Sequence, residues 1–466
     1  MVLFGIIFEF MLDYIIGVIM KQIRFYLLFI YFFTVTIVAQ EYTVSASGGE
    51  DYTTIQAAVN IVQAGDTITI KAGTYHERVY IETSGTKSNP IVIKNYQNDK
   101  VIIDGTGINW EGTWGGLFEL SYCGYISVSG IEIRHSTHAG IFLDDAHHIV
   151  IKNTKTDDTF SSGIGVWGGR YVLISKNEVK LACNDGEQEC ISIVTSHHVD
   201  VIENEVHHTG PGTNGGEGID VKQGSHDVTV KYNHVHHIDN PDRPALYADA
   251  SDLYTHHILF ESNRVHDIGG NGVSVASELG GLLAHVTFVN NIIYNNHDGG
   301  MIIGGWSGED NVTSNPVEHI NIINNTFYNT GGDGIYVDNI YAKDIKIYNN
   351  IIQSKNQQES PISIKDGVNI AELDIRKNMV DSEPYSYGQS SEVVADPLFV
   401  DAVNGDFHLQ FNSPAIDAGI QNSFSLLDYE KNSRLKDGIW DIGAYEANRK
   451  TNSDFSFLIP ILYLLM

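Results

Sequence analysis

Residues 215–225 read Gly-Gly-Glu-Gly-Ile-Asp-Val-Lys-Gln-Gly-Ser, and one short strand accounts for them. Ile219 and Val221 alternate with Gly218, Asp220 and Lys222. A period of two sends the apolar pair to one side and the charges to the other. An acid and a base thus share one face, with Glu217 at the strand's entrance. The same Gly-apolar-x-apolar unit recurs at Gly140-Ile141-Phe142-Leu143, Gly163-Ile164-Gly165-Val166, Gly272-Val273-Ser274-Val275, Gly300-Met301-Ile302-Ile303 and Gly334-Ile335-Tyr336-Val337. Ile191-Ser192-Ile193 lacks the glycine, and Leu246-Tyr247-Ala248-Asp249-Ala250 carries small residues inside.

A second marker runs beside the first. An asparagine precedes a short apolar strand at Asn153, Asn177, Asn204, Asn233, Asn263, Asn291, Asn325 and Asn350, spaced by 24 to 34 residues. Helical and leucine-rich repeats hold their period more tightly. A coil of three short strands tolerates such variation at its corners, and stacked asparagines satisfy corner backbone groups. The fold class expected is therefore all-β, a right-handed parallel β-helix (solenoid) whose coils bury their inward side chains against one another. Aligning the strands places Ser192, Asp220, Asp249, Ser274, Ile302 and Tyr336 in one outward column. Trp167, Val194, Lys222, Ser251, Ala276 and Asp338 form the next.

The ends differ. Met20-Lys-Gln-Ile-Arg-Phe-Tyr and the apolar Leu27–Val38 read as a signal peptide within residues 1–40, with Met20 as the start. Secretion, or a periplasmic or cell-surface location, follows, with no membrane attachment of the mature chain. Residues 41–122 read as an N-terminal cap and first coils, with a short helix from Thr53 to Val59 capped by Asp51. Residues 123–390 form the helical core, 391–446 a small C-terminal cap, and 447–466 a tail. The sequence "GDTITIKAGTYHERVYI" with "PIVIKNYQNDKVIIDGTG" resembles the opening turns of secreted β-helix proteins, many of them polysaccharide lyases. The run from Asp396-Pro397 to Tyr445-Glu446 is similar to the closing segment of bacterial β-helix proteins.

The chain of 466 residues carries 28 basic and 58 acidic residues, a net charge of −30. That balance argues against nucleic acid as a partner, and a polyanionic substrate needs a local basic patch or a bridging cation. A monomer acting on a polysaccharide is expected. Three cysteines, of which Cys183 and Cys190 flank one loop, make neither a disulfide framework nor a zinc pattern.

Candidate chemistry gathers on one face. Asp220 and Asp249 are expected one above the other, ~4.8 Å apart, with Lys222 two residues along. Glu217, Glu189, Arg243 and Glu278 surround them. Stacked carboxylates repel, so a cation, raised pKa values or the bases must compensate. Three uses fit: β-elimination at a uronate, hydrolysis by a carboxylate pair, or glycan binding without catalysis. "EGIDVKQGS" followed by Arg243 resembles the central coils of the alginate lyase and chondroitinase B group. That resemblance implies Glu217 as a calcium ligand, Lys222 as base and Arg243 as second catalytic residue; the acidic cluster itself adds Glu189 and Asp220 as candidate calcium ligands. Gly215 stands where the group has another acid, and Arg243 lacks the group's following His-Gly. "GIDVKQGS" also resembles pectate lyases, without their downstream arginine motif. "NGVSVASELGG" with "GGMIIGGW" resembles β-helix proteins of unassigned activity and makes Glu278 a rival catalytic acid. A uronate lyase is the leading expectation, a glycoside hydrolase the next.

The 20 histidines recur at fixed places in the repeat. His147, His198, His257, His285 and His319 lie six residues before a marker asparagine. His207, His236 and His266 lie three after one, where Tyr294 and Tyr328 stand later. This pattern reads as structural ladders rather than metal ligands. His236, His266, Tyr247, Tyr254, Trp167 and Trp306 offer rings for sugar stacking.

Overall fold

The computed structural model describes residues 11–24, 39–112, 114–184, 187–210, 215–306, 314–355, 359–381, 392–435 and 438–447. Residues 11–24 are helical and belong to a unit separate from the one that begins at Glu41. The apolar run proposed for the signal peptide and most of the tail fall outside the described residues. Among the described residues, no helix is long and apolar enough to cross a membrane.

From Glu41 the chain winds through three parallel sheets of 13, 13 and 11 strands. One coil shows the order: His226–Lys231 in sheet I, His234–Ile238 in sheet II and Leu246–Asp249 in sheet III. Each strand pairs with its counterparts one coil away, so nearly every ladder is parallel and in register. Inward residues fill the interior. Ile219, Val221, Val230, Val235 and Leu246 are wholly buried in one continuous core, and Phe260 and Phe288 stack with centroids 4.6 Å apart. Burial of this kind, at ~25 cal/mol per Å² of apolar surface, is what holds successive coils together.

The sheet I–II corner is closed by an asparagine ladder. Asn233 Oδ1 accepts the backbone N–H and the side-chain Nδ2 of Asn204 at 2.9 and 3.0 Å. Its own Nδ2 donates to Val201 O and to Asn263 Oδ1. The pattern continues to Asn378. Residues just before ladder members, such as Tyr232 (φ 56°) and Ser262 (φ 53°), are left-handed, a conformation costing ~1–2 kcal/mol without glycine. The ladder offsets that cost. Its first member corrects the sequence reading: Asn153 itself takes the left-handed turn (φ 50°), and Thr154 fills the ladder position, bonding Asn177 Oδ1. The adjacent asparagine was mistaken for it.

The same offset moves one histidine. His147 pairs in register with Arg170, then His197, His226 and His256. His148, not His147, stacks between Tyr125 and Tyr171 in the column that holds His198, and His257, His285 and His319 stack later in it. On sheet II, His207, His236, His266 and Tyr294 stack at centroid spacings of 5.1, 5.2 and 4.7 Å, as the repeat predicts. Burial lowers His234 to about 3 and His236 to about 4. His234 and His236 are thus neutral at pH 7, and His236 adds no charge to the stack.

The N-terminal helix Ile55–Val59 is capped by Thr54, whose hydroxyl accepts from Ala57 N–H at 3.3 Å. Glu77 takes the Ile55 and Gln56 N–H groups at 2.8 Å. Asp51, expected as the cap, instead accepts Thr43 N–H. At the other end, the segment read as a C-terminal cap lies along the flank of the last coils. Phe407 packs against Tyr294 and Tyr328, while Asn290, Asn324 and Asn349 donate to Leu427, Asp441 and Ile420 carbonyls. The three cysteines are free and buried.

Candidate active site

Sheet III carries the charged face. In the Ile219–Lys222 strand, Ile219 and Val221 point into the core, and Asp220 and Lys222 point out. Asp220 pairs with Ser192 on one side and with Tyr247 on the other. Asp249 pairs with Ala276. The expected stack of Asp220 on Asp249 is therefore wrong by two residues. Leu246, not Ala248, sits beside Ile219. A shift of two preserves the face and moves the column along the strand. Tyr247 takes the position assigned to Asp249.

The true arrangement is a staircase. Asp220, Asp249 and Glu278 each lie one coil up and two residues along from the last. Strand spacing and rise put successive backbone positions about 8 Å apart diagonally. Glu189 and Glu217 stand at the entrances of adjacent strands, where Cys190 N–H bonds Glu217 O. Arg243 reaches in from the loop before Leu246. All these residues, with Lys222, Tyr247, Asp242, Asn271, Ser274 and Asp338, line one cleft of about 390 Å³. Asp242, Asn271 and the hydroxyl of Ser192 were not singled out from sequence. The first two lie in or beside loops that do not repeat; only strand position marks the third.

Hydrogen bonds divide the acids into two groups. Glu189 is fully engaged, with one oxygen on Lys222 Nζ and the other accepting from Ser192 Oγ at 2.6 Å. Glu217 accepts from Arg243 Nη1 at 3.0 Å. Glu278 accepts from the Tyr247 hydroxyl at 2.5 Å. By contrast, Asp220 Oδ1, Asp249 Oδ1 and Glu217 Oε2 are buried with no hydrogen-bond partner. Lys222 Nζ lies 3.6 Å from Asp220 Oδ2.

The electrostatics follow from burial. Burial, then Asp249, holds the Asp220 pKa well above the carboxylate range. Burial, then Glu278, does the same for Asp249. Burial, then Glu189, raises Glu217 to about 7. Burial alone would lower Lys222, but Glu189, Asp220 and Asp249 outweigh it and hold it above its ordinary value. Lys222 is thus an ammonium clamped between carboxylates, and Tyr247, raised first by burial, stays a phenol. The cleft offers proton donors and oxygen acceptors rather than a free amine base.

Calcium was expected at Glu217, Glu189 and Asp220. The unpartnered oxygens are of the right kind for a hard cation. Their placement is not: among the described residues, the three-donor group whose atoms converge within 4.8 Å is Glu205, His234 and His236, not the cleft acids. Each Glu189 oxygen already accepts one hydrogen bond, from Lys222 or from Ser192. Glu217, Glu189 and Asp220 thus do not converge as a calcium shell among the described residues.

The ring-bearing candidates separate. Tyr247 is in the cleft. His236 and His266 stand on sheet II, a different face, because they belong to the strands before the sheet II–III turn. Trp306 ends the Met301–Trp306 strand beside Glu278, and its side chain lies outside the described residues. Tyr254 stacks on His256 at the sheet I edge. Trp167 shares the Lys222 column two coils below and packs on Trp114 with centroids 4.6 Å apart.

Residues 36–184 match the profile of the Pel9A-like right-handed β-helix region. Residues 115–317 and 217–394 match that of the right-handed β-helix region. An uncharacterized protein, YwoF, of Bacillus subtilis (strain 168) is 31% identical over 110 residues, 22% of this chain and 24% of the relative. Pectate lyase PEL9 of Emericella nidulans is 26% identical over 151 residues, 28% of this chain and 37% of the relative. The match thus spans about a quarter to a third of these relatives. Among solved structures, pectate lyase Pel9A aligns with a TM-score of 0.53 at 15% identity, covering 89% of this chain and 98% of that one. XylC in complex with xylose aligns with a TM-score of 0.58 at 13% identity, covering 87% and 98%. At these identities the structural likeness speaks for the fold.

Proposed function

The chain belongs to the right-handed β-helix family, and from that premise we propose that it is a carbohydrate-active enzyme that hydrolyses a glycan with the staircase carboxylates. One observation carries the reading. The acids rising across three strands keep unpartnered oxygens on Asp220 and Asp249, while both bases of the lyase scheme are engaged by Glu189 and Glu217. β-Elimination needs an unprotonated base, and Lys222 is held as an ammonium. Hydrolysis needs one protonated and one ionised carboxyl. Asp249, kept protonated by burial and by Glu278, gives its proton to the glycosidic oxygen as the C–O bond breaks. Glu278, oriented by Tyr247, takes the proton of the incoming water. Lys222 holds the charge of Glu189 in place beside Asp220.

The cleft also speaks to the substrate. Beside the protonated Asp220 and Asp249, Glu189, Glu217, Asp242, Glu278 and Asp338 line it against Lys222 and Arg243, with Lys365 paired to Asp338 at 2.7 Å. Such a field repels an anionic sugar unless a cation intervenes. A neutral glycan suits it, and Trp167 on the same sheet, packed on Trp114 from the segment before the Gly116–Ser121 strand, provides an apolar platform for a further ring. Support from relatives is of two kinds: the pectate lyase names favour glycan cleavage, and XylC was solved with a neutral sugar, xylose. Export to the cell exterior, expected from the N-terminal segment, belongs with this reading.

Neutral and acidic polysaccharides and their oligosaccharides, incubated with the enzyme in chelator and again in calcium, test it. New reducing ends without ultraviolet absorbance, independent of calcium, are expected. An ultraviolet-absorbing unsaturated uronate formed only with calcium would replace hydrolysis by elimination, and binding without products would leave a glycan-binding protein.

A further inference from the structure

On sheet II, away from the cleft, Glu205 and His234 are register partners on adjacent strands, and His236 lies two residues beyond His234 on the same face. We propose that Glu205, His234 and His236 form a binding site for a divalent transition metal, with zinc the ion their donors suit. One donor atom from each residue lies within 4.8 Å of the other two. Glu205 Oε1 is 3.4 Å from His236 Nε2 and 4.0 Å from His234 Nδ1. A tetrahedral ion with bonds of ~2.1 Å needs donor atoms about 3.4 Å apart. Two imidazoles and a carboxylate favour zinc over calcium or magnesium, which prefer all-oxygen shells.

The surroundings leave the right atoms free. His234 Nε2 lies 2.7 Å from His266 Nε2, and His236 Nδ1 lies 2.7 Å from His237 Nδ1. Each imidazole thus has one nitrogen anchored by an outer ring and the other turned to Glu205, the arrangement that fixes tautomer and direction in metal ligands. Arg264, the next residue in the His234 column, directs its guanidinium away, to the Tyr294 hydroxyl and Gly405 O. Three protein donors leave a fourth position to water or to an incoming ligand. The stacked column through His207, His236 and His266 supplies a rigid base for the site.

Titration calorimetry of the full chain with zinc in excess calcium, which occupies oxygen-donor sites, tests the proposal. One zinc per chain is expected, with cobalt giving the visible bands of a four-coordinate ion. His236→Phe keeps a ring in the stack and removes the donor, so it should weaken binding at least tenfold without lowering the metal-free melting temperature. Glu205→Gln should weaken it less, and His256→Ala, on sheet I, not at all. Absence of binding, binding unchanged in His236→Phe, or equal loss in His256→Ala would overturn it. The last would mark a diffuse histidine-rich surface instead of a site.

Discussion

The asparagine ladder at the sheet I–II corner and the acid staircase on sheet III are both buried polar arrays made by stacking coils. They differ in satisfaction. Each interior asparagine accepts two N–H bonds and donates two, so every coil meets the needs of the next. The staircase brings acids together and leaves two carboxylate oxygens, on Asp220 and Asp249, without partners. The ladder is what identical residues at a fixed repeat position produce, and it stabilises. The staircase breaks the repeat at a cost in stability, and groups held protonated and unpartnered in a cleft are those that can move protons.

The sharpest way to break the comparison is to remove the chemistry while keeping the coil. Asp249→Asn and Glu278→Gln retain shape and hydrogen-bonding size. Each should lower kcat on the glycan found by the substrate screen by about 10³-fold, within the range of general acid–base catalysis, with an unchanged circular dichroism spectrum. Loss below tenfold in both would move the chemistry to other residues of the cleft. The matching change in the ladder is Asn263→Ala. It leaves Val230 O and the Asn233 N–H without their partners and should cost about 3 kcal/mol in denaturant unfolding. The kcat of the folded fraction should stay near the wild-type value. A stability loss below ~0.5 kcal/mol would show that water replaces the ladder bonds.

The ladder was nearly all legible in sequence because its signal is periodic. One residue type recurs, and its inward neighbours Val206, Val235 and Val265 recur with it. The misreading at Asn153 arose where a threonine substitutes in the ladder and an asparagine precedes it. The face of the staircase was legible for the same reason, since alternation places Asp220, Lys222, Tyr247 and Asp249 outward in any even register. The column was not. Leu246, Ala248 and Ala250 are all apolar, so the period fixes the side but not the starting point, and the loop before Leu246 has no counterpart of equal length. The pairing of Lys222 with Glu189, from another coil, follows from side-chain reach. In the proposed reading that pairing makes Lys222 a clamp rather than a base.

The remaining predicted difference concerns protons and builds up only as pH rises. Folding raises the Glu217 carboxyl to about 7, through burial and then Glu189, against an ordinary value near 4.5. A group whose folded pKa is raised contributes stability that is complete below the unfolded value and is lost as pH rises through the folded one. The wild-type chain should therefore lose stability from about pH 4.5 to pH 7 as Glu217 ionises beside Glu189. Glu217→Gln cannot ionise. Its advantage over wild type should be near zero at pH 4.5 and approach about 3 kcal/mol above pH 7, measured in chelator so that no cation masks the repulsion. Arg243 loses a charged partner in this variant, which acts in the opposite direction, and the sign of the pKa shift states that burial and Glu189 outweigh it. An advantage that stays flat with pH, or turns negative above pH 7, would show that the Arg243 bond dominates and that this end of the cleft is a satisfied ion pair like those elsewhere on the surface.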